Sequence, residues 1–294
     1  MLMNLNKKPT EMKPKIIILF LWISSVIPMR SQVGATNLDW DNQDYTSTQK
    51  LEIFAKGCNL YQIERLLKND TIFEINYGQI TLTPIQLAID AFIKANNNNE
   101  LWKCDQCINA VAAIMKDKRY NYKLQPLRTQ TDLIYAIKRE KDVVNNNEII
   151  QRFEFLLYTM LLILDTKADF DINYSIGTYV DALNGHPGTA FEASSAYGDT
   201  SFCMLVKRYP VLLVDIDKRT GYNKFTPLMY AARFNNLKTA KKLLFYGADY
   251  LKKFEAYEVN GIPVIGISRR AGHTAMTKLL TDYKDGKINV AGCE

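Results

Sequence analysis

The sequence predicts an all-α solenoid of about six helix–turn–helix units, each packed on the next along the chain. Three observations support this prediction. The pattern of the segment Thr226–Asp249 is restated upstream and downstream, at offsets of 37 and 36 residues from the nearest copies. Most copies keep a threonine before a first helix and an apolar pair near the end of a second. A pair of short helices cannot cover its own apolar face, so neighbouring units must bury it.

The repeated segment is predicted to form two helices joined by a turn. Thr226–Ala232 predicts a capped first helix, because threonine accepts a hydrogen bond from the helix start and proline at the first position loses none. The turn Asn235–Asn236 then leads to a second helix ending in Leu243–Leu244. The other copies of the first helix begin at Leu51, Thr83, Thr131, Thr189 and Ile262.

This pattern resembles the ankyrin repeat, in which Thr-Pro-Leu-His-x-Ala-Ala is followed by a turn, a second helix ending in Leu-Leu, and Gly-Ala-Asp. Gly247–Asp249 supplies the last of these signals here, and the first-helix pattern recurs at offsets of 37 and 36 residues on either side of Thr226. The resemblance covers about residues 49–285. It implies a non-catalytic module that binds a protein partner through a concave face and the fingers between units.

Two central units are longer than the family's repeat of about 33 residues. Thr83 and Thr131 lie 48 residues apart, and Thr131 and Thr189 lie 58 apart. Polar runs, Asn96–Asn99 and Asn145–Asn147, fall between the two helices of these units. They are interpreted either as solvated spacers or as partner-specific contacts.

The rest of the added length has two sources, both between Thr131 and Thr189. Glu148–Ile163 is rich in apolar residues and predicts a lengthened second helix, and Tyr174–Gly188 predicts a long finger. The small pair Ala231–Ala232 predicts a close approach of two helices. Gly198 and Gly272 suit tight turns with a positive φ, which glycine adopts at little cost.

The first 35 residues have the pattern of an export signal. A basic stretch ending in Lys15 precedes the apolar run Ile16–Pro28, whose 13 residues are too few to cross a hydrocarbon layer that needs about 20. Val33–Ala35 offers a cleavage site of small residues. We therefore expect a periplasmic or secreted protein, with an uncleaved membrane anchor as the alternative. The predicted organisation is a signal peptide over 1–35, a linker over 36–48, the repeat array over 49–285 and a C-terminal tail over 286–294.

Composition excludes several classes of protein. The chain has 294 residues, of which 47% are hydrophobic and 23% charged, so neither a disordered chain nor a multi-span membrane protein fits. The formal charge of +6 falls to about +2 without the leader. Nucleic-acid binding through bulk charge is therefore not expected.

The cysteines are odd in number and scattered, which argues against a disulfide framework. They are Cys58, Cys104, Cys107, Cys203 and Cys293. The spacing of Cys104 and Cys107 is that of a redox motif, but no strand precedes it and the surrounding residues predict one helix. Structural thiols are expected, with a local disulfide between Cys104 and Cys107, or a thiol-redox protein that uses them, as alternatives.

The residues needed for catalysis are absent from the sequence. There are two histidines, His186 and His273, and the second occupies a turn position where local hydrogen bonding is expected. Asp169–Asn173 imitates the start of a calcium loop, but Tyr174 and Val180 replace the glycine and glutamate that coordination needs. No nucleophile elbow, phosphate loop or dinucleotide motif occurs. We predict no enzymatic activity, no cofactor and no bound metal.

The candidate partner-binding residues lie at the exposed ends of first helices and in the fingers, where aromatic and arginine side chains are typical anchors. They are Lys138, Arg139, Tyr197, Tyr222, Lys224, Phe225, Arg233, Phe234, Arg269 and Arg270. For Phe225 and Phe234 the alternative is packing within the array.

The basic members of this set favour an acidic protein partner, with a solvated basic face as the alternative. No nucleic acid and no membrane beyond the export signal is expected as a partner. An inhibitor or immunity-type protein that occludes a toxic enzyme is a further alternative for the function.

Overall fold

The computed structural model describes residues 45–70, 75, 82–122, 131–175, 187–219, 224–254 and 261–293. The predicted signal peptide, most of the predicted linker and the middle of the predicted finger, including His186, lie outside these residues. The described helices belong to one compact unit, Tyr45–Glu294.

Within the described ranges the chain forms twelve α-helices, which alternate as the first and second helices of six units. The first helices are α1 (Ser47–Gly57), α3 (Pro84–Asn97), α5 (Asp132–Arg139), α7 (Ala190–Tyr197), α9 (Pro227–Arg233) and α11 (Val264–Arg270). The second helices are α2 (Leu60–Asn69), α4 (Leu101–Lys116), α6 (Asn147–Asp165), α8 (Thr200–Arg208), α10 (Leu237–Phe245) and α12 (Thr274–Lys284). Each first helix packs on the first helix of the next unit, and second helices pack on one another from the first unit to the fourth and between the fifth and the sixth. This arrangement confirms the predicted all-α solenoid.

Short elements connect some of the helices. A 3₁₀ turn over Glu140–Asp142 follows α5, and another over Pro210–Leu213 follows α8. Before α11, the strands β1 (Lys253–Phe254) and β2 (Ile262–Pro263) pair antiparallel, with Phe254 opposite Ile262. This small hairpin is an addition to the predicted helices.

Threonine begins the first helix in most units, as the sequence predicted. In α3, α5, α7 and α9 the threonine side chain accepts a hydrogen bond from the backbone N–H three residues along. These threonines are Thr83, Thr131, Thr189 and Thr226. Thr46 caps α1 in the same way, a residue that the sequence pattern had not included in the first unit.

The turn between first and second helix is the same in four units. One residue of each turn has a positive φ, and the next N–H bonds at 2.9 Å to the carbonyl five residues before it. The left-handed residues are Cys58 (53°), Asn99 (59°), Asn235 (57°) and Gly272 (74°). The prediction for Gly272 is therefore confirmed.

Gly198 lies between α7 and α8, but the positive φ that was predicted for it is not observed. Its φ is −127°, which any residue can adopt. A Cβ at this position would lie 2.1 Å from the Ser201 hydroxyl oxygen and 2.2 Å from a carboxylate oxygen of Glu140. Glycine is required here because another unit's side chain occupies the space.

The lengthened central units keep their stacking. The predicted long second helix is observed as α6, with 19 residues. The first asparagine run begins in the last turn of α3, and two of its residues bond across the unit boundary. Asn96 Nδ2 donates to the Ile149 carbonyl at 2.9 Å, and Asn97 Nδ2 donates to the Asp142 carbonyl at 2.7 Å. These asparagines are more than solvated spacers, because they fix the second unit to the third.

A buried carboxylate also joins these two units. Asp132 is 1% exposed, and it accepts hydrogen bonds from Thr83 Oγ1 at 2.7 Å, Gln86 Nε2 at 3.1 Å and Tyr120 Oη at 3.1 Å. Three donors from the second unit thus surround a charge in the third, which is how a buried carboxylate is stabilised.

Glu140 caps a helix that belongs to the next unit. Asp199 precedes α8 but makes no side-chain cap. Glu140 instead accepts the N–H groups of Asp199 at 2.8 Å, Thr200 at 2.7 Å and Ser201 at 3.0 Å. Burial raises the pKa of Glu140, and the three N–H donors oppose that rise. The contact fixes the third unit to the fourth.

The expectation about cysteines was wrong. Cys58 forms a disulfide with Cys107, and Cys203 forms one with Cys293. Cys104 and Cys107 share one face of α4, but the partner of Cys107 comes from the preceding unit. The pairs lie 49 and 90 residues apart, so the sequence alone did not suggest them.

Within the described residues, no helix combines the length and the apolar character that crossing a lipid bilayer requires.

Replacing Ala231 with leucine should destabilise the array. Ala231 is fully buried on α9 between α7 and α11, so the added atoms have no space. We expect a loss of about 1–3 kcal/mol in the free energy of unfolding, measured by urea denaturation. Ala275→Leu, at an exposed position of α12, is the control and should unfold like the native chain. Equal stability of the Ala231 variant would show that the helices are not packed as described.

Replacing Glu140 with alanine should weaken the junction between the third and fourth units. Three N–H groups at the start of α8 would lose their acceptor, at a cost of about 1–3 kcal/mol. Glu100→Ala is the control, because Glu100 directly precedes α4 but its side chain does not cap that helix. Equal unfolding midpoints for the two variants would contradict a capping role for Glu140.

Candidate protein-binding edge

The candidate residues at first-helix ends all lie on one side of the array. On this side, which we call the turn edge, each first helix ends and the second helix of the same unit begins. Successive units contact one another along it: Asn236 Nδ2 donates to the Ser195 carbonyl at 3.2 Å, and an imidazole nitrogen of His273 bonds to the Arg233 carbonyl at 2.9 Å. This bond crosses to the preceding unit, 40 residues away, whereas local hydrogen bonding was predicted for His273.

Two aromatic residues of the turn edge meet between the fourth and fifth units. The rings of Tyr197 and Phe234 lie edge to face, with centroids 4.8 Å apart. The Lys141 ammonium lies 5.9 Å from the Tyr197 ring centroid. Burial raises the pKa of Tyr197 to about 12, so its hydroxyl stays neutral and remains a hydrogen-bond donor at physiological pH. Both rings stay partly accessible.

Arg233 extends this group. Its guanidinium carbon lies 5.8 Å from the centroid of the Phe225 ring, and its side chain is partly accessible. Phe225 itself is 4% exposed and packs edge to face on Phe254 and Tyr230. Phe225 was therefore wrongly proposed as a partner contact. It is a core residue on which Arg233 rests.

The last unit contributes Arg269 and Arg270, at the end of α11. Both side chains are exposed. Through the contact of His273 with Arg233, this end of α11 lies beside the end of α9. We call the resulting row of residues the ridge; it consists of Lys141, Tyr197, Arg233, Phe234, Arg269 and Arg270.

Arg139 is held by neighbouring acids. Its Nη1 lies 2.6 Å from Asp142 Oδ2, and its Nε lies 3.0 Å from Asp90 Oδ1. Asp90 also accepts the Tyr135 hydroxyl at 2.7 Å. Arg139 is thus ion-paired within the array, where it links the second and third units.

Lys138 and the finger residues stand apart from the ridge. Lys138 is half-buried, and burial together with the nearby Lys141 lowers its pKa. Lys224 is exposed in the finger before α9, with a φ of 50°. Tyr222 lies outside the described residues.

The sequence pattern missed several exposed residues on the turn edge. Lys141 lies in the 3₁₀ turn that continues α5, where a first-helix pattern gives no signal. Tyr61, Leu101 and Trp102 begin the second helices of the first two units and are 70%, 51% and 61% exposed. Second-helix starts that are aromatic or apolar could have been read from the sequence as a further set of candidates.

The cysteines offer no redox pair. Cys107 is bonded to Cys58, and Cys104 is a buried thiol whose pKa burial raises to about 11. Such a thiol is almost entirely protonated at neutral pH and is a poor nucleophile. The thiol-redox alternative is therefore rejected. Within the described ranges, no group of three potential ligands is close enough to hold a metal ion.

Comparisons with known proteins agree with this architecture. The family model for the ankyrin repeat matches residues 223–253. A search of curated protein sequences found no significant relative.

Solved structures with similar folds have low sequence identity to the chain. A chain of the complex between the Bd0816 predatory endopeptidase of Bdellovibrio bacteriovorus and the immunity protein Bd3460 is 16% identical, with a TM-score of 0.51 over 81% of this chain and 99% of that one. The ankyrin-repeat protein EF0377 is 18% identical, with a TM-score of 0.47 over 81% and 98% of the two chains. An ankyrin-repeat domain from Acinetobacter baumannii is 16% identical, with a TM-score of 0.44 over 79% and 95%.

The chain thus has the fold of a helical repeat protein. Residues 223–253 match the ankyrin repeat, and the other five units repeat the same pair of helices. Ankyrin repeats are protein-interaction modules and generally non-catalytic scaffolds, so the turn edge and the fingers are to be examined as binding surfaces.

Arg139, which is ion-paired, and Arg269, which is exposed, should respond differently to alanine substitution. Arg139→Ala should lower the free energy of unfolding by up to about 1 kcal/mol, because two carboxylates lose their partly exposed partner. Arg269→Ala should leave it unchanged, since the side chain is exposed. Thermal and urea unfolding of both variants test this difference, and a larger loss in the Arg269 variant would reverse the assignment.

Proposed function

We propose that this protein is exported and binds an acidic protein partner through the ridge, without catalysing a reaction. The observation that carries the proposal is the continuity of the ridge. Tyr197 and Phe234 touch, Lys141 and Arg233 flank them, and Arg269 and Arg270 follow on the next unit. Partly exposed aromatic and arginine side chains in one row are the residues that contribute most to protein interfaces.

Charge supports an acidic partner. Residues 224–294 carry twelve lysines and arginines against three aspartates and three glutamates. Three of the twelve are Arg233, Arg269 and Arg270 of the ridge. Clustered charge of one sign raises the association rate with a partner of the opposite sign and makes it dependent on salt. The solvated-face alternative predicts neither property.

Two independent features support export. The leader has the basic, apolar and small-residue parts of a secretory signal. The two disulfides fit an oxidising compartment, since cytosolic reductants keep most thiols reduced. N-terminal sequencing of the protein recovered from its native cells should give a start after residue 35. An intact leader on membrane-bound protein would favour the anchor instead.

Neutralising the ridge should weaken partner capture without unfolding the chain. We expect Arg233→Gln with Arg269→Gln to lower the recovery of the acidic partner at least about tenfold, because each charge at a buried contact contributes roughly 1–2 kcal/mol. The measurement is quantitative affinity capture from native cell extract at low and at physiological salt. Circular dichroism verifies the fold.

A charge-matched variant provides the control for this experiment. Lys94→Gln with Lys116→Gln removes two exposed charges from α3 and α4, away from the ridge. It should capture the partner like the native chain. If both double variants lose capture equally, net charge and not the ridge is responsible; if neither does, the partner uses another surface.

An immunity-type role is the second candidate. The observation that favours it is the similarity to a chain of the endopeptidase–immunity complex, which extends over nearly all of that chain. In this role the ridge would cover the active site of a secreted hydrolase. The test is whether the purified protein inhibits a hydrolase encoded beside it, and whether the Arg233/Arg269 variant fails to inhibit. A captured partner whose catalytic activity is unchanged would speak against this role.

A further inference from the structure

We propose that the two disulfides lock the two ends of the array, so that reduction opens the terminal units and leaves the central ones folded. Each terminal unit of a repeat array lacks one of the two neighbours that stabilise an internal unit. Fraying therefore begins at the ends. Both disulfides hold elements at these ends, and neither joins residues of the third unit.

The first disulfide fixes the N-terminal unit. Cys58 is the left-handed residue after α1, and its partner Cys107 lies in the middle of α4 in the second unit. Lys103 Nζ adds a bond to the Gly57 carbonyl at 2.9 Å. Both sulfur-bearing residues are fully buried. The bond thus holds the turn of the first unit against the second helix of the next.

The second disulfide closes a much longer loop. Cys203 lies on α8, and Cys293 lies in the tail after α12, so the fifth and sixth units are contained between them. The tail is seated on α10: Cys293 N–H donates to Tyr246 Oη at 3.0 Å, and a Cβ on Gly292 would lie 2.7 Å from the Phe245 ring. A side chain at this position would have to displace the Phe245 ring. The tail therefore connects the C-terminal end of the sixth unit to α8 and to the end of α10.

The central units have other means of support. Asp132 and Glu140 join the second, third and fourth units through six hydrogen bonds, none of which involves sulfur. The long helix α6 packs against both α4 and α8. Reduction removes none of these contacts.

The two disulfides differ in their exposure to solvent. Cys203 and Cys293 are partly exposed, whereas Cys58 and Cys107 are fully buried. A reductant therefore reaches the C-terminal disulfide first, and the N-terminal one after local opening. Arg269 and Arg270 lie within the C-terminal loop, so the oxidised tail also holds that end of the ridge in place.

The opening is a thiol–disulfide exchange with a dithiol such as dithiothreitol. One sulfur of the dithiol, as thiolate, attacks a sulfur of the protein disulfide and forms a mixed disulfide, releasing one cysteine thiolate. The second sulfur of the dithiol then attacks the first, which breaks the mixed disulfide and releases the other cysteine as a thiolate. Each protein disulfide gains two electrons and two protons, and the dithiol becomes a cyclic disulfide.

Amide hydrogen exchange of the purified, oxidised protein, followed by mass spectrometry with and without dithiothreitol, tests the proposal. Reduction should speed exchange in α12 and then in α1 and α2 by about 30- to 700-fold, the range expected for loss of a loop-closing disulfide. Exchange in α6 should stay unchanged. Thiol alkylation in the same samples reports which disulfide has opened, and Cys203–Cys293 should open at the lower dithiothreitol concentration.

Two variants separate the C-terminal lock from a general effect of reductant. Cys203→Ser with Cys293→Ser should give fast exchange in α12 before any reductant is added. Cys104→Ala is the control, because this buried thiol is in neither disulfide and alanine adds no polar group; its α12 should exchange like that of the native chain. Because reduction is applied to folded protein, the test holds even if the double variant does not fold.

Two results would overturn the proposal. One is unchanged exchange in α12 after alkylation shows both disulfides open. The other is a parallel loss of protection in α6, which would make the disulfides supports of the whole array. Neither result depends on a partner, so both are distinguishable from a failure of the proposed binding function.

Discussion

The architecture depends on one constraint: a pair of short helices has more apolar surface than it can cover. Leu228 and Ala231 of α9 are completely buried, yet the unit that carries them has only two helices of its own. Their burial comes from the units on either side. Stacking is therefore the source of the core, and because each first helix packs on the first helix of the next unit, their ends are brought into one row. The turn edge exists for this reason.

Much of the architecture could be predicted because the repeat imposes local rules. Thr83, Thr131, Thr189 and Thr226 cap equivalent helices because a hydroxyl three residues before a backbone N–H is a local arrangement, visible in the sequence. Gly272 was predicted for the same kind of reason. Features that depend on one unit and its neighbour were not visible. Gly198 is fixed by Glu140, and Cys58 is paired with Cys107 across a unit boundary.

The candidate site also combines features that the local sequence shows with features that depend on a neighbouring unit. First-helix ends could be identified by position, which brought Tyr197, Phe234 and Arg233 into the set. What the position could not give was the depth of each side chain. Phe225 is buried because β1 places Phe254 against it. Arg139 is held by an ion pair because Asp90 of the second unit lies beside it. Side-chain burial depends on the partner unit, and the sequence of a single unit does not specify it.

The polar contacts around Asp132, Asn96 and Asn97 also bear on how such an array can change over generations. They join specific atoms of adjacent units, so alignment is set by chemistry at the contact and not by the number of residues between contacts. Insertions that lengthened the central units could then accumulate while the stack kept its alignment. An engineer could use the same freedom, grafting new loops between these anchors to reshape the surface without redesigning the interior.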